Sequence, residues 1–210
     1  DRVIFYSEAS CIWAINQKLI KPEIAYWANN TIDTLTVSEN YNFTYPQNKP
    51  KHIVFIGRLI ASKKVDVAIK YFELLQQRFE SEHLILDIIG DGPDADIVIS
   101  ASSKNKQIKW HGALIEESYI SPIMKKCSFV FLPGDSGLSI NHAFAYGRPY
   151  VTMISKNHGP EISYISENKN GLILNIDRTS LNLKKMEELL INEKMLNKFC
   201  DNAKLKSSEI

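Results

Sequence analysis

Cysteine is scarce in this 210-residue chain: Cys11, Cys127 and Cys200 are the whole complement, widely spaced and without a C-x-x-C pair. An odd number at that spacing argues against a disulfide framework and a structural zinc site, and fits a reducing, cytosolic compartment. No apolar run approaches the ~20 residues that a membrane-spanning helix needs. Charge of neither sign prevails. With 25 Lys and Arg against 24 Asp and Glu the net charge is +1, without the basic excess of a dedicated nucleic-acid binder. There is no low-complexity tract and no internal repeat. The chain also opens Asp1-Arg2, with neither initiator Met nor signal peptide, and so reads as a piece of a longer protein.

What is present is an ordinary globular mixture, 44% hydrophobic and 23% charged, enough for one large domain or a medium one with extra pieces at its ends. Short, continuous apolar runs predict strands over 52–56, 84–89, 108–110, 129–132 and 150–153. Between the first two, Val65, Ala68, Phe72, Leu75 and Phe79 recur at helical spacing. Ser121-Pro122 reads as a helix cap followed by a first-turn proline, and a helix over 139–146 should stop at Gly147. Strand–helix–strand alternation of this kind predicts an α/β fold, a Rossmann-like doubly wound parallel sheet. The ends are less regular: a strand over 3–6, a helix over 13–19, a short run over 24–27, polar sequence, a linker over 40–50, and a helix over 181–208.

Ligands of such sheets lie beyond the C-terminal strand ends, so the chemistry is sought there. The first end, Gly57-Arg58-Leu59-Ile60-Ala61-Ser62-Lys63-Lys64, places cations between a strand and a helix, as a pyrophosphate site requires. Lys64 by itself reads as a solvated lysine. The second, Gly90-Asp91-Gly92-Pro93-Asp94-Ala95, fits G-x-G-x-x-A and raises an NAD-type dinucleotide site as an alternative. Pro93 removes a donor near the expected pyrophosphate, and no acid for the ribose is evident at a strand end. A tight turn is the plainer reading. At the third, His111 and Gly112 either line a base pocket or lead a core strand into a turn. The fourth runs from Pro133 through Gly134, Asp135, Ser136, Gly137, Leu138 and Ser139 into a helix bearing His142. Unpaired amides there would face an anion. In the fifth, His158-Gly159-Pro160-Glu161, Glu161 either caps a helix or accepts bonds from sugar or ribose hydroxyls.

Taken in order, these loops resemble the donor-binding domain of the retaining glycosyltransferase family numbered four, which has the GT-B fold. The resemblance covers roughly residues 30–173. It is carried by Asn30-Thr31-Ile32-Asp33, Gly57-Arg58-Leu59 with Lys63 and Val65-Asp66, the Gly90–Pro93 turn, Pro133 and the Gly137-Leu138-Ser139 segment. It implies that Arg58 and Lys63 hold the donor diphosphate and act in catalysis. The donor site would comprise Gly57, Arg58, Lys63, His111, Gly134, Asp135, Gly137, Leu138, Ser139, His142 and Glu161. One departure is marked: where the family signature sets two glutamates eight residues apart, this chain has Gly134 and His142. That pattern resembles a branch found among bacterial surface-polysaccharide transferases. His142 could still bond the ribose, while Asp135 or the loop amides would replace the lost sugar contact.

The resemblance further implies residues 1–44 as the tail of a preceding acceptor domain plus linker. Residues 45–178 would be the nucleotide-sugar domain and 179–210 a C-terminal helical segment. The expected co-substrate is a nucleoside-diphosphate sugar of UDP or GDP type, with no further cofactor and no metal. The acceptor, a glycan or lipid-linked molecule, would be bound by the missing N-terminal domain, leaving the fragment alone inactive. Cytoplasmic placement, peripheral at the inner face of the membrane in the full-length protein, is expected by analogy. An epimerase of similar architecture and a non-catalytic sugar-nucleotide-binding module are the alternatives.

Overall fold

A computed structural model of the chain describes residues 1–47, 49–79 and 84–210. Its strands are β1 (Val3–Phe5), β2 (Ala25–Trp27), β3 (Lys51–Ile56), β4 (Leu84–Ile89), β5 (Ile108–Trp110), β6 (Cys127–Phe131), β7 (Tyr150–Met153) and β8 (Gly171–Leu174). The helices are α1 (Glu8–Asn16), α2 (Thr34–Asn40), α3 (Val65–Gln76), α4 (Ala95–Lys104), α5 (Glu117–Met124), α6 (Ser139–Ala145), α7 (Thr179–Ile191) and α8 (Glu193–Ser207). β3 to β8 form one sheet in the order β5-β4-β3-β6-β7-β8, every pair parallel. Parallel strands covered by helices on both faces are nearly continuous apolar runs, and β3, β4, β6 and β7 are buried at every residue. The expected Rossmann-like sheet is therefore observed.

Chain order reverses between β3 and β6, which lie side by side although two strands and three helices separate them in sequence. At such a reversal the loops leaving the two strands turn to opposite sides, and a crevice opens between them. Here those loops are residues 57–64 and 132–138.

Several elements differ from the sequence reading. α1 begins at Glu8 rather than near Trp13, because Ser7 caps it by accepting from the Ser10 amide at 3.2 Å. α5 starts at Glu117 and carries Pro122 inside it. Burial of Ile120 and Met124 on the core side outweighs one lost backbone bond, and Ser121 donates instead to the Asn40 carbonyl at 2.8 Å. The single helix expected over 181–208 is two, broken at Asn192, whose side chain accepts from Met195 N and starts α8. α2, α4 and β8 had not been anticipated. α2 is capped by Asp33, which accepts from Leu35 N at 2.9 Å.

β1 and β2 pair in a separate two-stranded sheet. Residues 41–47 and 49–50, the described part of the predicted linker, have no regular structure, yet Arg148 pins this segment. Fully buried, its guanidinium donates to the Tyr41 hydroxyl and to the carbonyls of Thr44, Met124 and Lys125. Among the described residues no helix is long and apolar enough to cross a membrane.

Candidate functional site

The two loops at the sheet's reversal meet. Asp135 N donates to Ser62 O at 2.8 Å, and Lys63 Nζ donates to the Asp135 carbonyl. Gly134 makes this approach possible: a Cβ there would lie 2.1 Å from Ser62 O and 2.5 Å from the Lys63 carbonyl carbon. The glutamate that the family signature sets at this position could not stand on this backbone. Lys64, which links the loop to α3, takes a left-handed conformation (φ 56°), unusual for a residue with a side chain and most frequent near functional sites.

Lys63 is half-buried, and that burial lowers its pKa from the ordinary lysine value. Asp135 and Glu161 act in the opposite direction, while Arg58 adds to the lowering. Arg58, Lys63, Asp135 and Glu161 thus share one electrostatic neighbourhood. The Arg58 guanidinium is exposed and has no hydrogen bond or ion pair among the described residues. Beyond Asp135, the amides of Gly137, Leu138 and Ser139 take no acceptor among the described residues. Three consecutive bare N–H groups at a helix start, in the neighbourhood of two cations, can attract an anion.

A network holds this loop from beneath. The Ser136 amide donates to His158 Nδ1 at 3.0 Å, and His158 Nε2 donates to Met153 O at 2.8 Å. The Ser136 hydroxyl lies 3.1 Å from Thr152 Oγ1 and accepts from Tyr150, whose oxygen lies 2.7 Å from Ser139 Oγ. Ser139 therefore has its hydroxyl committed to the core and only its amide available. Asp135 accepts from Ser155 Oγ at 2.7 Å.

Glu161, at the start of a short 3₁₀ turn (Pro160–Tyr164), is only 2% exposed. Its Oε1 accepts from Asn30 Nδ2 at 2.5 Å, while Oε2 is buried without a partner among the described residues. That bare oxygen lies against Gly137 and Gly159: a Cβ on either would come within 3.6 and 2.3 Å of it. Asn30 in turn accepts on its carbonyl from Asn141 Nδ2 at 2.7 Å. The segment before α2 is thereby joined to α6.

A cleft of about 430 Å³ adjoins the loops. Gly57, Leu138, Ser139 and His142 line it with Asp33, Leu114, Ile115 and Glu117. His142 does not stand alone there: Nε2 lies 2.8 Å from Glu117 Oε1, and Tyr146 donates to the other Glu117 oxygen. His111 lies elsewhere. Its Nε2 is 2.8 Å from Asp87 Oδ1, and His52 Nδ1 is 2.6 Å from Asp87 Oδ2, so Leu114 and Ile115 form the pocket wall in its place.

The Gly90–Pro93 turn packs on the first loop. Leu59 N donates to Asp91 O and Asp94 N to Leu59 O, both at 2.9 Å. A Cβ on Gly90 would sit 1.9 Å from Gly57 O. These glycines let one backbone approach another, which accounts for the dinucleotide-like pattern. Asp94-Ala95-Asp96 has the Asp-x-Asp form found in metal-dependent transferases, but among the described residues no group of three His, Cys, Asp or Glu could hold a metal ion.

Glu117, Asn30 and His158 are the members of this constellation that sequence reasoning left without a role. Glu117 follows a loop rather than a strand end, and only its spatial pairing with His142 marks it out.

A family model described as "Glycosyl transferases group 1" matches residues 50–192. No curated protein matches the chain. Among solved structures, that of TarM, from S. aureus, is 21% identical with a TM-score of 0.75, covering 99% of this chain and 40% of its own. Alr3699/HepE of Anabaena is 17% identical at a TM-score of 0.72, with 99% and 59% covered. WaaG, a glycosyltransferase involved in lipopolysaccharide biosynthesis, is 13% identical at 0.70, with 100% and 59% covered. The chain thus spans about two fifths to three fifths of these three structures.

Proposed function

The chain belongs to the glycosyl transferases group 1 family, with the GT-B fold, and on that premise we propose that it is the donor-binding half of a sugar transferase acting in polysaccharide or glycan biosynthesis. The carrying observation is the meeting of Lys63 with the 134–139 loop at the sheet's reversal, beside three bare amides and a cleft.

The reaction would move a sugar from a nucleoside diphosphate to an acceptor hydroxyl with retention of configuration. The bond from the anomeric carbon to the diphosphate oxygen breaks, the acceptor oxygen bonds to that carbon on the same face, and the acceptor proton passes to the departing diphosphate. Charge builds up on the leaving group. Arg58, Lys63 and the amides of Gly137, Leu138 and Ser139 would stabilise it electrostatically. Gly134 lets the backbones of the two loops close in, and Gly57 lines the cleft. His142 faces the cleft where a ribose would lie, and the bare Oε2 of Glu161 can accept a hydroxyl, as can the carboxylate of Asp135.

A UDP-type donor is favoured by what related structures hold: TarM with UDP, the Anabaena protein with UDP-glucose, and a pneumococcal O-GlcNAc transferase with UDP and GlcNAc. The acceptor would be bound by a domain preceding this one. In support, Ile4, Tyr6, Trp13 and Leu19 are each 59–68% exposed around the β1-β2 sheet, and two strands alone rarely make a stable unit.

Calorimetry with UDP, GDP, inorganic pyrophosphate and NADH tests the reading. Saturable binding of UDP or GDP is expected, and none of NADH. If neither nucleoside diphosphate binds, the proposal fails.

A further inference from the structure

The cleft holds an acid that the roles above leave unused. Glu117 opens α5, yet its carboxylate reaches across to α6, taking His142 Nε2 on one oxygen at 2.8 Å and the Tyr146 hydroxyl on the other. The Glu117 and His142 side chains are 15% and 14% exposed, so water screens the pair only weakly. Burial raises the Glu117 pKa, but the bonds from His142 and Tyr146 outweigh it and hold the carboxyl below its ordinary value. It stays an anion. Burial and that neighbouring acid together push the Tyr146 hydroxyl far above the usual tyrosine value, keeping it a donor.

This arrangement leaves acceptor capacity in the pocket. Each Glu117 oxygen has one protein donor and retains a further lone pair. His142, with Nε2 committed, has no partner for Nδ1 among the described residues. Leu114, Ile115 and Leu138 share the same cleft. Apolar walls for a planar base, with an anion and a ring nitrogen alongside, fit a nucleoside whose vicinal hydroxyls need acceptors. A half-buried carboxylate kept for packing alone would cost desolvation with little net gain.

We infer that Glu117 supplies the carboxylate that accepts the ribose hydroxyls of the nucleoside diphosphate, held in place by His142 and Tyr146. The inference rests on the nucleotide-site reading of the cleft. It explains how a chain with His142 at the signature glutamate position retains an acid there: the carboxylate comes from α5 through space.

The test compares the better-bound of UDP and GDP with its 2′-deoxy counterpart, in the unaltered chain and in Glu117→Gln, with pyrophosphate as the control. The unaltered chain should prefer the ribonucleotide by roughly tenfold to a hundredfold, the span of a hydrogen bond to a charged group. In Glu117→Gln that preference should fall to about threefold or less, with pyrophosphate affinity unchanged. A preference that survives the substitution overturns the inference, as does an unaltered chain indifferent to the 2′-hydroxyl. An equal loss for pyrophosphate also overturns it, by making the acid merely structural. Failure of UDP and GDP alike, seen before any variant is made, overturns the nucleotide-site reading as well. Should Glu117→Gln lose its cooperative melt, Tyr146→Phe takes its place. Removing that donor should reduce the 2′-hydroxyl preference, and an unchanged ratio counts against the inference.

Discussion

Gly134 lies under the carbonyl of Ser62 so closely that any side chain at 134 would collide with main chain. Main chain cannot swing aside as a side-chain tip can. Gly134→Ala should therefore prise the 57–64 and 132–138 loops apart, costing about 2–3 kcal/mol of stability and most of the pyrophosphate affinity. Gly112→Ala is the control. Gly112 has a φ of +69° and open space around its missing Cβ, so the change should cost only about 1–2 kcal/mol of backbone strain and leave anion binding intact. Thermal melts and calorimetry on both variants provide the check.

On the proposed reading Arg58 and Lys63 grip the diphosphate from different depths. Replacing either with Ala should cost roughly 1.5–3 kcal/mol of UDP or GDP affinity, the range of a charge-assisted bond. Arg58 is exposed while Lys63 is half-buried. Added salt should therefore erode the Arg58 contribution more than that of Lys63. Titrations at two ionic strengths measure this, and unchanged affinity in Arg58→Ala would refute its role.

His142→Ala should weaken nucleoside diphosphates by about 1 kcal/mol and leave pyrophosphate untouched. Equal losses for both ligands would place His142 away from the ribose.

Asp87 is expected to contribute to stability against acid. Burial raises its pKa, but the bonds from His111 and His52 prevail and hold the carboxyl below its ordinary value. A depressed native pKa contributes stability above the unfolded value, about 3.9, and that contribution is lost as pH falls through the native one. Asp87→Asn should thus be destabilising at pH 7, with a penalty that shrinks as the pH is taken below about 4. Urea midpoints across that span provide the measurement; a penalty constant with pH would show that the charge of Asp87 is not what matters.

Most of the sheet was legible because strands buried on both faces are mainly apolar, and β3, β4, β6 and β7 are so with few interruptions such as His52, Asp87 and Ser128. The loops at the sheet's reversal were legible for a related reason: loops that must touch need glycine, and Gly90, Gly92 and Gly134 stand at those points. What escaped was whatever depends on contacts distant in sequence. α2 reads as polar until the burial of Val37 and Tyr41 is seen. The acceptance by Glu117 of a bond from a helix 25 residues away leaves no local trace. Pro122 misled in the opposite direction, since its local preference for a first turn yielded to the packing of Ile120 and Met124.

Main-chain bonds join the 57–64 loop to both of its neighbours, through Leu59 with Asp91 and through Ser62 with Asp135, so that framework depends on glycine at 90 and 134 and little on the other side chains it carries. The wall at Leu114 and Ile115 has no such stitching among the described residues, and Ile115 is 90% exposed. Drift in that wall can retune which base is welcomed while the phosphate grip is inherited intact.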